Sequence, residues 1–305
     1  MSAVRCRTND LHRLASPTGH SNGKRSEWAE TLAQLGSRVE PLIYRGGWPA
    51  RLGRLLGRRA TVGLTRHAIP VAGLGPRPLR VGYASDFHVG PTTNPAVVEA
   101  ACATLASAAP DVLLLGGDYV THDLSGLRGL AVALSAVPAP LGRFAVLGNH
   151  DWWAGHTQVR RGLEDVGVRV LVNESASLAA PFEHVAICGV DDHGHGRPDA
   201  AAALGPASGI RLVLMHAPSG LLDIGAERFE VAFCGHTHGG QIALPNGRPL
   251  LVPQGALSRR YARGRFDLSP GRTLVVSVGI GCVVVPWRLF APPEVLLCTL
   301  TEATP

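Results

Sequence analysis

Asp111 to Val120 read DVLLLGGDYV: an apolar run of strand length, Val112 to Leu115, stopped by two glycines and then an aspartate. A short unbroken apolar run between turn residues marks a strand covered on both faces. Four other stretches repeat the form: LRVGYASDFH (79–88), RFAVLGNHDWW (143–153), RLVLMHAP (211–218) and EVAFCGHTHGG (230–240). Between them lie segments of helical length and period, such as NPAVVEAACATLASAAP (94–110) and HTQVRRGLEDVG (156–167). Strands alternating with helices predict an α/β fold whose functional groups gather where the strands end. The last third, with GGQIALP (239–245), RRYARGRF (259–266), GRTLVVSVGIG (271–281) and PPEVLLCTL (292–300), reads as strands joined by turns. The expected architecture is two mixed β-sheets flanked by α-helices, in one domain over 71–305, without internal repeat.

Residues 1–70 differ in character and are expected to form a basic N-terminal arm, partly disordered. The first 80 residues carry 14 Lys or Arg against 4 Asp or Glu, whereas 81–305 carry 15 against 19. Within the arm, WPARLGRLLGRR (48–59) places Trp48, Leu52, Leu55 and Leu56 on one side of a helical wheel and Arg51, Arg54 and Arg58 on another. Two readings stand: a terminal helix that caps the core, or a peripheral membrane contact through that helix on an anionic surface. No apolar stretch is long enough for a membrane span, and the polar N-terminus lacks a secretory core, so a cytoplasmic protein is expected, with the inner face of the membrane as its periphery. The six cysteines show no CxxC spacing, which predicts neither a disulfide framework nor a thiolate metal site.

The polar ends of the five runs supply Asp86 and His88, Asp118, Asn149 with His150 and Asp151, His216, and His236 with His238. In an extended chain residues i and i+2 share a face, so Asp86/His88 and His236/His238 each present two groups to one point. The set offers hard oxygens and borderline imidazoles, which suit divalent first-row ions. With two divalent ions, two aspartates and a bridging hydroxide, the site stays about one unit positive, which favours an anionic phosphorus ester over a neutral amide. Taken singly, the pieces have plainer readings: a surface turn for DxH, a strand-ending turn for GGD, a packed ring for His216. Their joint order at one end of successive strands favours a common site.

The series SDFH, GGDYV, GNHD, LMHAP and GHTHGGQ resembles the five-block signature of the calcineurin-like metallophosphoesterase superfamily. GVDDHGHGRPD (189–199) and the tail from RRYARGRF to PWRLFAPPEVLLCTL are similar to the bacterial phosphoesterases of the YkuE/YaeI type, and the likeness spans roughly 75–300. The resemblance implies a layered metallophosphoesterase fold and two divalent metal ions, Mn, Fe or Zn. It implies one ion held by Asp86, His88, Asp118 and His238 and another by Asp118, Asn149, His216 and His236, with Asp118 bridging. His150 is then the group that protonates the leaving oxygen, with Asp151 able to orient it. Thr121 stands where purple acid phosphatases place a tyrosine, which argues against a tyrosinate–iron centre. Tyr261 and Arg263 are candidate substrate contacts, the other reading being a polar hairpin turn.

The expected function is a dinuclear metal-dependent phosphohydrolase, a phosphodiesterase by subfamily resemblance, acting on a small-molecule or lipid-linked phosphoester. A non-catalytic metal-binding interaction scaffold is the alternative. A nuclease is disfavoured, because 81–305 is net acidic and nucleic acid needs a basic track.

Overall fold

The computed structural model describes residues 39, 42–49, 52, 60–253 and 255–304. One sheet comprises β1 (Gly63–Val71), β2 (Leu79–Ala84), β3 (Val112–Leu115), β4 (Arg143–Ala145), β5 (Arg169–Val170) and β12 (Glu294–Glu302), in the order β1-β12-β2-β3-β4-β5. The other comprises β6 (Glu174–Ser177), β7 (Val185–Gly189), β8 (Ile210–Leu214), β9 (Val231–Cys234), β10 (Gly264–Ser269) and β11 (Arg272–Val276), in the order β10-β11-β9-β8-β7-β6. Both sheets are mixed. β2 to β5 run parallel with β12 antiparallel to β2, and β7, β8, β9 and β11 run parallel between antiparallel edges β6 and β10.

Parallel neighbours need crossover connections, and helices supply them. α1 (Pro95–Ala108), α2 (Leu127–Ser135) and α3 (Asn149–Glu164) cover the outer face of the first sheet, while α4 (Ala200–Leu204) and α5 (Gly220–Ile224) cover that of the second. The sequence marks the ends of α1. The Asn94 side chain accepts from the Ala96 N–H and Pro95 opens the helix, and Ala109 leaves it in a left-handed conformation.

The two sheets pack face to face, which explains the unbroken apolar runs. In β3, Val112 and Leu114 enter the inter-sheet core while Leu113 and Leu115 meet the helices. In β9, Val231 and Phe233 point into the same core and Ala232 and Cys234 point outward under α4 and α5. Tyr83 of β2 stacks on Phe233 of β9 across this core, with ring centres 5.6 Å apart.

Two expectations are corrected. Residues 63–70, read as part of the arm, lie in β1, paired in parallel with β12. The stretch 239–245 is not a regular strand. Gly239, Gly240 and Gln241 have positive φ, and only isolated bridges, Ile242 to Leu289 and Ala243 to Pro249, form there. Most of the arm, and all of the 48–59 helix except Trp48, Pro49 and Leu52, lies outside the described residues. The five described cysteines are free, and no described helix is long and apolar enough to cross a membrane.

Candidate metal centre

All seven candidate ligands converge beyond the C-terminal ends of β2, β3, β4, β8 and β9. They do not sit on the strands. β2 ends at Ala84 and β9 at Cys234, and Asp86, His88, Asp118, His236 and His238 take φ of 57°, 43°, 55°, 67° and 52°. The i, i+2 pairs therefore meet through left-handed turns, not through the alternation of an extended chain, which corrects the geometry inferred from spacing. Such conformations cost free energy in residues other than glycine and persist only where the surroundings hold them. Here the loops after β2 and β3 are tied together: the Asp86 N–H donates to the Gly117 carbonyl (2.9 Å) and the His88 N–H to that of Asp118 (3.0 Å). Glycine is required beside them. A Cβ on Gly235 would strike Ser85 Oγ and Asp86 Oδ2, and one on Gly279 would lie 2.6 Å from the Asp86 Cβ.

Buried groups, with the half-buried His236, form three overlapping sets able to hold a cation: Asp86, His88 and His238; His88, Asp118 and His150; and Asp118, His216 and His236, with the ligand atoms of each set within 4.8 Å of one another. His88 Nε2 lies 3.1 Å from His238 Nε2 and 3.4 Å from Asp118 Oδ2, and His238 Nε2 lies 3.6 Å from Asp86 Oδ1. His216 Nε2 lies 3.2 Å from Asp118 Oδ2 and 3.1 Å from both Asn149 Oδ1 and His236 Nδ1. The His216 Nδ1 is 2.8 Å from the Gly116 carbonyl and donates to it, so in its neutral form the ring turns the Nε2 lone pair toward Asp118, Asn149 and His236. Convergent lone pairs of oxygen and imidazole nitrogen fit a divalent first-row cation.

Burial holds His88 and His238 well below the usual histidine range, and hence neutral. Burial opposes the Asp118 charge, but His216 and His150 outweigh it and keep the carboxyl well below its ordinary value. Neutral imidazoles with an ionised carboxylate are the protonation states that hold a metal. Burial alone would lower His216. The nearby Asp118 carboxylate overcomes it and raises the pKa well above the ordinary value, so a proton competes for that ring.

Three other expected residues behave differently. Asp151 does not orient His150. Its carboxylate accepts the N–H groups of Asp118 (2.8 Å), Tyr119 (2.9 Å) and Gly148 (2.9 Å), while the His150 Nδ1 lies 2.8 Å from the Thr121 carbonyl. Tyr261 is buried in the core outside the second sheet, edge-on to Phe266, and does not line the site. Arg263 packs beside Gly239, one residue after His238, but its guanidinium donates to the Phe290 carbonyl (3.0 Å).

Spacing also left several neighbours unseen. Ser85 donates to Asp86 Oδ2 (2.5 Å), and the Arg288 guanidinium lies 3.1 Å from His238 Nδ1 while donating to the carbonyls of Gly281 and Ala291. Trp153, exposed, stands edge-on to His150 and to His195, with ring centres 4.6 and 5.0 Å away. No motif ties Arg288 to a loop fifty residues earlier, whereas the second tryptophan of DWW was visible as an aromatic beside the His150 block.

The family model for calcineurin-like phosphoesterases matches residues 79–240, the span from β2 through the His236/His238 turn. A metallophosphoesterase of Aquifex aeolicus is 31% identical over 230 residues, 73% of this chain and 85% of that protein. Phosphodiesterase YaeI of Escherichia coli is 29% identical over 245 residues, covering 78% and 87%. Metallophosphoesterase YkuE of Bacillus subtilis is 28% identical over 222 residues, covering 71% and 77%.

Proposed function

The chain belongs to the calcineurin-like phosphoesterase family, and on that premise we propose that it is a dinuclear metal-dependent phosphodiesterase. The observation that carries the reading is the position of Asp118, whose Oδ2 lies between His88 Nε2 and His216 Nε2 at 3.4 and 3.2 Å. One carboxylate between two imidazole sets supports one ion with Asp86, His88, Asp118 and His238, and a second with Asp118, Asn149, His216 and His236. Divalent cations there would offset phosphoryl charge and acidify water. The protein's own groups set orientation. The glycines at 235 and 279 let the backbone close on Asp86, and the Gly116 carbonyl fixes the His216 ring.

His150 is the proton carrier in this reading. Its Nδ1 is held by Thr121, which leaves Nε2 to deliver a proton to the departing alkoxide or phenoxide oxygen. Burial lowers its pKa, and an anionic ester bound nearby would favour the imidazolium that donates. The preference for diesters is supported by the likeness to the Escherichia coli phosphodiesterase. The substrate is a small-molecule or lipid-linked phosphoester.

The test is hydrolysis of bis(4-nitrophenyl) phosphate against 4-nitrophenyl phosphate by the purified chain with added Mn²⁺. Faster turnover of the diester supports the reading. Faster turnover of the monoester would replace it with a phosphomonoesterase, and inactivity on both with Mn²⁺, Fe²⁺ and Zn²⁺ would favour the metal-binding scaffold.

A further inference from the structure

Of the 14 exposed large apolar side chains among the described residues, seven belong to 244–290 and five to 39–52. The first group is held on a lobe beside the metal centre. The Gln241 side chain donates to the carbonyls of Val283 (3.0 Å) and Val285 (2.9 Å), the Ala243 N–H donates to Leu289 (2.9 Å), and the Leu250 N–H to Ile242 (3.0 Å). Arg263 binds the Phe290 carbonyl from beneath. Backbone pairing therefore fixes the loops while Leu250, Leu251, Val284, Trp287, Leu289 and Phe290 stay in solvent, Leu251 at 71% exposure. The second group joins it, because the Tyr44 hydroxyl donates to the Val284 carbonyl (3.0 Å).

Among the described residues, the exposed arginines on these segments are Arg248, Arg259 and Arg260 within 244–290 and Arg45 beside Tyr44, with Asp123 the acid that lines the same cleft as Arg45. Exposed tryptophan, leucine and phenylalanine on turns that also carry exposed arginines combine apolar and cationic contacts on one lobe. An anionic bilayer offers the complementary pair of contacts, with phosphates outside and acyl chains within. We propose that this lobe docks on an anionic phospholipid surface, inserting Trp287, Leu289 and Phe290 at headgroup depth.

The experiment uses the full chain and vesicles of phosphatidylcholine alone or mixed in equal parts with phosphatidylglycerol. Co-flotation is expected with the mixed vesicles, and Trp287→Ser/Leu289→Ser should weaken partition by at least about tenfold. Melting temperature checks that this variant is folded. Trp287→Phe should keep binding yet lose part of the fluorescence quenching caused by brominated lipid, a readout independent of any change in folding. Equal partition of wild type and double variant, or failure of the wild type to bind the mixed vesicles, overturns the proposal. So does a shift from dimer to monomer in the double variant by sedimentation, which would assign the lobe to a second copy of the chain.

Discussion

The His150 ring is fixed at one nitrogen and presented at the other. Its Nδ1 meets the Thr121 carbonyl at 2.8 Å, and the backbone N–H of His150 donates to Asp118 Oδ1 at 2.9 Å. His150→Asn should therefore leave metal content nearly intact while diester hydrolysis falls by about 10²-fold or more, the usual scale for a general acid. Elemental analysis with turnover checks both halves, and loss of metal from that variant would make His150 a ligand. Asp118→Asn should empty at least one site, and full occupancy would refute the bridging role. Asp151 belongs to stability. Its carboxyl, pushed up to about 8 by burial and by Asp118, accepts three good backbone N–H bonds that an asparagine amide would only half satisfy. Asp151→Asn should cost about 1–3 kcal/mol, read from denaturant melts. The convergence of the candidate ligands was legible because five blocks share one form, but the expected His150–Asp151 pairing does not form. Both residues start α3, and consecutive residues on a helix point to different sides.

At the scale of elements, β3 and β9 could be read because every residue is apolar and both faces are covered. β1 escaped notice because its early residues are only half-buried along an edge of the sheet, which leaves a weak pattern. The left-handed turns were also hidden, since Asp and His adopt positive φ through tertiary support that spacing does not encode. The loop after β7 illustrates the same point. His193 and His195 are exposed, yet His193 Nδ1 bonds Asp223 Oδ2 of α5 at 2.7 Å, and Asp192 accepts the N–H groups of Gly194 (3.0 Å) and His195 (2.8 Å). The Asp223 hydrogen bond raises the His193 pKa. A raised folded-state pKa stabilises fully below the ordinary histidine value of about 6.5, and the contribution disappears as pH rises through the higher folded value. Amide exchange over 193–197 should accelerate across that window beyond the intrinsic rate. Asp223→Asn should abolish the extra acceleration.

For the whole molecule, the candidate centre lies where two sheets meet, and the sheets also pack through their apolar faces. Asp86, His88, Asp118 and Asn149 follow strands of the first sheet, whereas His216, His236 and His238 follow strands of the second. A cation held by both sets would clamp the sheets at one end, while Tyr83 and Phe233 stack between them in the core. Because the inter-sheet core is continuous without the clamp, chelation should lower stability without unfolding the chain. Binding to the native state alone adds about 2.7 kcal/mol per site at free metal a hundred times Kd. At roughly 2–4 °C per kcal/mol for a domain of this size, each occupied site should raise Tm by about 5–11 °C. Scanning calorimetry across a Mn²⁺ series should show Tm rising with the logarithm of free metal. His216→Ala, which removes a bond between the sheets, should flatten that rise. A Tm indifferent to metal in the wild type would mean that the clamp contributes nothing to the fold, and the stability would then rest on the apolar layers alone.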